Sequence, residues 1–151
     1  MTNLDIYPNG VPFLKMHGLG NDFVIIDARE SESPVNAQIA KVIGDRHFGV
    51  GYDQLVVITK SKKADVEVVF WNSDGSLSDA CGNASRCVAK LIMDENNIEE
   101  ITLKTGSGVL VAQKGQNDLI CSIKLAPRLR TAGFRTKAYP PIVAAADCTV
   151  F

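Results

Sequence analysis

Seven short runs of this sequence carry β-branched and aromatic residues at strand-like spacing, and only two stretches have helical spacing. Turn-forming residues separate the runs. A helix is predicted from Ser33-Pro34 to about 47–51, and another from Gly82 to about Met93. This distribution predicts an α+β domain in which helices cover one face of a sheet. The predicted strands are 11–17, 23–29, 53–59, 64–72, 99–105, 108–114 and 117–125.

The composition excludes several classes of protein. The 151 residues suit about one domain, 22% of them are charged, and the net charge is −1. This balance predicts a globular protein without a nucleic-acid or membrane surface. The start, MTNLDIYPNG, lacks the pattern of a signal peptide, and no apolar run approaches the roughly 20 residues that span a bilayer. We therefore expect a cytoplasmic location.

The cysteines are not spaced for a disulfide framework or a metal site. Cytoplasmic thiols stay reduced, which argues against disulfides. There is no Cys-x-x-Cys pair, and His17 and His47 are the only histidines, so no metal is predicted. Cys87 lies on the apolar face of the second predicted helix and is expected in the core. The cysteines are Cys81, Cys87, Cys121 and Cys148.

The octapeptide ACGNASRC (80–87) places Cys81 directly before the second predicted helix. The unpaired amides and positive dipole end of a helix start favour an anion, which can lower a thiol pKa from its usual value of about 8.5. Gly82 lets a ligand approach the main chain, and the amides of Gly82 and Asn83 can bind a carboxylate. The alternative is that Cys81 is only a small residue at a tight corner between a strand and a helix.

Three ordered motifs lie within about the first 125 residues. They are FLKMHGLGNDFVIID (13–27), DRHFGVGYDQLVVI (45–58) and FWNSDGSLSDACGNASRC (70–87). Together they resemble the diaminopimelate epimerase family, whose third motif carries the first catalytic cysteine. Ala84 departs from the glycine more usual there, a small change in a helix. The resemblance implies a mixed or antiparallel sheet packed around a central helix, as the first of two similar halves.

The resemblance also implies a reaction. The family interconverts LL- and meso-diaminopimelate without a cofactor, for lysine and peptidoglycan precursor synthesis, and two cysteines serve as base and acid at the α-carbon. That α-proton is very weakly acidic, so base, acid and carbanion stabilisation must be pre-positioned. By resemblance Cys81 is one acid/base thiol, and the α-carboxylate binds at Gly82 and Asn83. Further hydrogen bonds to the substrate are expected from Asn21, Gln54 and Asn72.

Each of these polar residues has a structural alternative. Asn21 could hold a left-handed turn, Gln54 could be an exposed strand residue, and Asn72 could form an Asx turn. Arg46 and His47 are interpreted as residues at the end of the first helix, where the dipole favours positive charge.

The resemblance fades after residue 126. We therefore assign residues 1–126 to an N-terminal epimerase domain and 127–151 to a poorly defined tail. No segment resembles the family's second cysteine region, and neither Cys121 nor Cys148 is followed by its glycine-rich pattern. The expectation is a truncated enzyme that carries one of the two bases and is inactive alone.

Two alternatives to this function remain open. One is a non-catalytic domain that binds ligand or associates with another chain, and the other is a different amino-acid racemase or isomerase of the same fold. The apolar face that would meet the missing half also predicts association, either as a homodimer or with a complementary C-terminal half. The only other expected partner is the small-molecule substrate, diaminopimelate.

Overall fold

The structure of the protein is a computed structural model that describes residues 10–115 and the backbone of 121–125 and 143–149. The described chain contains nine strands and two helices. In chain order the elements are β1 Pro12–Gly18, β2 Asn21–Asp27, α1 Ala37–Gly44, β3 Gln54–Lys60, β4 Val66–Asn72, β5 Leu77–Ser78, α2 Gly82–Asn96, β6 Glu100–Thr105, β7 Gly108–Lys114, β8 Cys121–Leu125 and β9 Val143–Thr149. Neither helix is long and apolar enough to cross a membrane.

The strands form one mixed sheet in the order β8-β7-β6-β4-β3-β2-β1-β9, and β5 pairs with β4. The pairs β2/β3 and β4/β6 are parallel, and the other pairs are antiparallel. The predicted antiparallel meander is confirmed by β6, β7 and β8. The predicted α+β class with a mixed sheet is confirmed too. Residues 117–120 of the last predicted strand lie outside the described residues.

Helix α2 is the central helix of the fold, as predicted. It lies against β1, β2, β3, β6, β7 and β8, so strands from both halves of the sheet pack on one helix. Cys87 and Val88 are fully buried, which confirms the predicted core position of Cys87. The helix therefore fixes where its own first residues lie relative to the strand ends.

Strands β2 and β3 are buried on both faces, which explains their continuous apolar sequences. Successive side chains of a strand point to opposite faces. Phe23 and Ile25 belong to the cluster around α2, whereas Val24 and Ile26 belong to a second cluster. That second cluster also holds Tyr52, whose hydroxyl donates to the Ala40 carbonyl in α1.

The predicted limits of the first helix are wrong. The N-cap is Asn36, whose Oδ1 accepts a hydrogen bond from the Ile39 amide at 3.0 Å. The helix ends at Gly44 rather than near 47–51. Asp45 stops it, because its Oδ1 accepts hydrogen bonds from the amides of the next turn, His47 at 2.7 Å and Phe48 at 2.9 Å.

The tail also differs from its prediction. Residues 143–149 form β9, which pairs antiparallel with β1 at the edge of the sheet. The prediction of a tail without regular structure is wrong for this segment. Its sequence, VAAADCT, has too few large apolar residues to show alternation, and the pairing depends on backbone groups of β1 that would otherwise be open at the edge. Residues 126–142 lie outside the described residues.

Truncation of α2 on its buried side is expected to destabilise the fold. Val88→Ala should lower the free energy of unfolding by about 2 kcal/mol, because it removes methyl groups from a fully buried site and leaves a cavity. Val42→Ala in α1 is the matched control, since that side chain is 58% exposed and its loss should change stability by less than about 0.5 kcal/mol. Urea unfolding of the full chain measures both, and equal effects would contradict the packing of α2.

Candidate active site

The polar residues singled out in the sequence converge at one edge of the sheet. Strands β2 and β3 are parallel, so Asn21, which opens β2, and Gln54, which opens β3, lie at the same edge. Strand β4 runs the other way, and its last residue, Asn72, is the register partner of Gln54. The start of α2 reaches this edge through a hydrogen bond from Asn83 Nδ2 to Asn21 Oδ1 of 2.9 Å.

Cys81 is the N-cap of α2. Its Sγ accepts a hydrogen bond from the Ala84 amide at 3.5 Å, and the side chain is half-buried against the core cluster. The lowering of the thiol pKa that a helix start can produce is outweighed here, because burial raises the pKa of Cys81 above its ordinary value. The amides of Ala84 and Asn83 and the charge of Arg86 act in the opposite direction but do not outweigh burial. Burial therefore favours the neutral thiol over the thiolate at this position.

The hydrogen-bonded pair of Asn21 and Asn83 also contacts two charged side chains, one on each residue. Asn21 Nδ2 donates to Asp53 Oδ2 at 3.2 Å, and Asn83 Oδ1 accepts from Arg86 Nη2 at 2.5 Å. The left-handed positions of the preceding turn are Leu19 and Gly20, with φ of 54° and 86°. The alternative that Asn21 itself holds a left-handed turn is therefore wrong.

Gln54 and Asn72 form a second pair of side-chain amides. Gln54 Nε2 donates to Asn72 Oδ1 at 3.1 Å, and both residues are half-buried, so Gln54 is not an exposed strand residue. Asn72 Nδ2 donates to Ser76 Oγ at 2.9 Å. The residue that forms the Asx turn here is Asp74, whose Oδ1 accepts from the Ser76 amide at 2.8 Å.

Gly82, the first residue of α2, lies beside open space. A Cβ atom built on Gly82 meets no heavy atom within 4 Å. Packing therefore does not require glycine here, and the main chain at the helix start is accessible to a ligand. Because the first amides of a helix have no intrahelical acceptors, this surface suits a carboxylate.

A cluster of charged residues supports this edge and was missed in the sequence analysis. Asp22 accepts from Lys15 Nζ at 2.7 Å and from both terminal nitrogens of Arg46, at 3.0 and 2.7 Å. Arg46 Nη2 also lies 3.1 Å from Asp53 Oδ1. The interpretation of Arg46 as a helix-terminal residue is wrong, since α1 ends two residues earlier. The hydrogen bonds from Arg46 and then Lys15 outweigh burial and hold the pKa of Asp22 well below its usual range.

A different group of charges lies between β2 and α2, away from the predicted site residues. Arg29 Nη2 lies 2.6 Å from Asp27 Oδ2 and 2.8 Å from Glu95 Oε2. This guanidinium is paired within the chain. Within residues 10–115, no cluster of His, Cys, Asp or Glu is arranged to hold a metal.

Comparison with solved structures defines the fold. The chain is similar to the crystal structure of a probable proline racemase from Agrobacterium radiobacter K84, with a TM-score of 0.61 and 14% sequence identity. The match covers 75% of this chain and 41% of that chain. At this low identity the likeness establishes the fold alone, a mixed sheet around a helix.

Sequence comparison then gives the family. The family model for diaminopimelate epimerase matches residues 13–123. A diaminopimelate epimerase from Rhodospirillum centenum is 50% identical over 100 residues, covering 65% of this chain and 34% of the relative. One from Phenylobacterium zucineum is 42% identical over 120 residues, covering 80% and 43%. The chain belongs to the diaminopimelate epimerase family and spans less than half the length of these relatives.

Replacing Asp22 should weaken the acid sensitivity of the fold. Since its folded-state pKa lies below the unfolded value of 3.8, its ion pairs stabilise the fold fully above about pH 5, and this stability declines as the pH falls from there towards the lower folded-state pKa. Asp22→Asn should therefore reduce the loss of stability between pH 7 and pH 3, by at most about 1 kcal/mol because the side chain is partly exposed.

The control for this measurement is Glu30→Gln, which removes a carboxylate from an ion pair with Lys60 that is too exposed to contribute much to stability. Urea unfolding of the full chain at each pH gives the comparison. An unchanged pH dependence in Asp22→Asn would contradict the ion-paired state of Asp22.

The raised pKa of Cys81 predicts slow alkylation at neutral pH, since the thiolate is the nucleophile. The rate of modification of Cys81 by iodoacetamide, located by peptide mass spectrometry, should reach half its maximum only above the ordinary thiol pKa of about 8.5. Cys87, which is fully buried, should react only after unfolding and serves as the internal control. A half-maximal rate at pH 8 or below would show that the helix start outweighs burial.

Proposed function

We propose that this chain is the N-terminal half of a diaminopimelate epimerase, which interconverts LL- and meso-diaminopimelate by moving the proton at the α-carbon. The single observation that carries the proposal is that Cys81 caps α2 at the edge where Asn83 meets Asn21. A half-buried thiol, open helix amides and side-chain amides then lie together, which is what proton transfer beside a carboxylate needs.

Cys81 would act as one of two cysteines, without a cofactor. Epimerisation removes the α-proton on one face and delivers a proton on the other, so one sulfur must begin as thiolate and the other as thiol. Burial raises the pKa of Cys81, which suits the thiol role at rest. In the reverse direction the same sulfur, then a thiolate, would take the proton. The second cysteine would come from outside this chain.

The substrate would be oriented by the remaining residues of the site. The amides of Gly82 and Asn83 would bind the α-carboxylate at the start of α2, where the helix dipole favours negative charge. Asn21, Gln54 and Asn72 would donate or accept hydrogen bonds with the rest of the reacting centre. Because these groups are anchored on strand ends, little ordering would be needed when substrate binds.

The chain alone would be inactive and would associate with a complementary C-terminal half or with a second copy. Exposed apolar side chains support this part of the proposal. Phe48 is 96% exposed in the loop that carries Arg46, and Leu19 is exposed in the turn before Asn21. A cytoplasmic location would keep the thiols reduced.

A non-catalytic association domain is the second candidate, and the same exposed side chains favour it. Another racemase of this fold, such as a proline racemase, is disfavoured by the family match and by the 42–50% identity to diaminopimelate epimerases.

Complementation with a C-terminal half tests the proposal. The part of the Rhodospirillum centenum relative that follows its aligned segment would be mixed with this chain, and exchange of the substrate α-hydrogen with deuterium from solvent would be followed by NMR. We expect exchange in both stereoisomers from the mixture, none from either part, and none with Cys81→Ala. Exchange by this chain alone would contradict the missing-half proposal, whereas an inactive mixture that nevertheless forms a complex would favour the association domain.

Gly82→Ala separates binding from folding in the same assay. The added methyl group faces open space, and alanine favours helix, so the free energy of unfolding should stay the same or rise by less than about 1 kcal/mol. It would obstruct the carboxylate at the main chain, so exchange should fall at least about tenfold. An unchanged rate would exclude the helix start as the carboxylate site.

A further inference from the structure

We propose that Asp53 is a positioning residue, which fixes the orientation of the Asn21 and Asn83 carboxamides so that both present N–H groups to an anionic ligand. This inference rests on the function proposed above and adds a residue that would not itself touch the substrate. It follows from a hydrogen-bond network of four side chains, which runs from Asp53 through Asn21 and Asn83 to Arg86.

The two charged groups at the ends of this network determine the direction in which its hydrogen bonds are donated. A carboxylate only accepts hydrogen bonds and a guanidinium only donates them. The Asn21 group that faces Asp53 must therefore be its NH2, which turns its carbonyl oxygen to Asn83 Nδ2. The carbonyl oxygen of Asn83 in turn faces Arg86. Neither amide can be flipped without placing two donors or two acceptors against each other.

This polarity determines what the two amides offer a ligand. Each NH2 group has two hydrogens, and among the hydrogen bonds between described residues each uses one. One N–H of Asn21 and one of Asn83 remain, and Asn83 directly follows Gly82, whose main chain lies beside open space. Two N–H donors match the oxygens of a carboxylate, whereas a flipped amide would present a carbonyl oxygen and repel it.

Asp53 is itself held in place. Its Oδ2 also accepts from the Asp22 amide at 3.1 Å, and its Oδ1 lies 3.1 Å from Arg46 Nη2. The Asp53 amide donates to the Asp22 carbonyl at 2.9 Å. A Cβ atom at Gly51, where φ is +71°, would lie 2.7 Å from Arg46 Cγ, so glycine there leaves room for the Arg46 side chain.

The contribution of this cluster is orientation rather than stability. The side chains of Asp53 and Arg46 are 40% and 54% exposed, and ion pairs so exposed to solvent contribute little to folding. A purely structural role would therefore predict almost no effect when Asp53 is removed. Loss of orientation at the ligand amides predicts a specific effect on binding and on the amide signals.

The experiment compares Asp53→Ala, Asp53→Asn and the control Asp65→Ala in the full chain. Asp65 is also an exposed aspartate, bonded to Thr102 before the start of β4, at the opposite end of the sheet. In Asp53→Ala the side-chain NH2 signals of both Asn21 and Asn83 in 15N NMR should shift and broaden without ligand. Asp65→Ala should leave both signals unchanged.

Binding of meso-diaminopimelate by calorimetry gives the second readout. We expect an affinity loss of at least about tenfold in Asp53→Ala, the size typical of losing a hydrogen bond to a charged group, and partial rescue in Asp53→Asn, which keeps a carbonyl oxygen for Asn21. Urea unfolding should show equal stability for wild type and Asp53→Ala, so that misfolding does not account for the loss.

Two results would overturn the inference. They are unchanged Asn83 NH2 signals in Asp53→Ala, or unchanged affinity in a variant whose amide signals have moved. If wild type does not bind diaminopimelate, the proposed substrate is wrong and the NMR comparison alone decides whether Asp53 orients the amides.

Discussion

The candidate site depends on the parallel pairing of β2 with β3. In this register Phe23 lies opposite Gln54, so the dipeptides Asn21-Asp22 and Asp53-Gln54 meet at one edge of the sheet. Reciprocal bonds then join Asp22 and Asp53 through their amides and carboxylates. A shift of one residue would turn every side chain of a strand to the other face and separate these groups. The reciprocal Asp22 and Asp53 bonds form only in this register, so they help to fix it.

Helix α2 supplies the other half of the site. Its buried face fixes the direction in which the helix starts, and the chain enters it at Cys81. The same burial that anchors the helix raises the pKa of the capping thiol. The packing of α2 therefore affects the acidity of the Cys81 thiol. A cysteine at an exposed helix start would ionise more readily, whereas burial opposes the ionisation of Cys81.

The sequence predicted what depends on local pattern and missed what depends on distant partners. Apolar periodicity located α2 and placed Cys87 in the core, and turn residues separated the strands correctly. The predicted limits of α1 were wrong because the residues that cap the helix are Asn36 and Asp45. The prediction had relied on Ser33-Pro34, which is a more conspicuous helix-start signal in the sequence. The role of Arg46 could not be predicted, since its main partner, Asp22, lies 24 residues away in sequence and is brought near only by the folded sheet. Strand β9 was missed because its alanine-rich sequence has almost no alternation.

Membership of the diaminopimelate epimerase family gives these contacts a chemical context. We propose that the start of α2 and the adjoining strand ends form one ligand site. A backbone 1H–15N NMR titration of the full chain with LL-diaminopimelate would locate that site. We expect shifts concentrated at the amides of residues 81–84, 21 and 54. Shifts confined to the surroundings of Arg29 and Glu95, or none at saturating ligand, would contradict it.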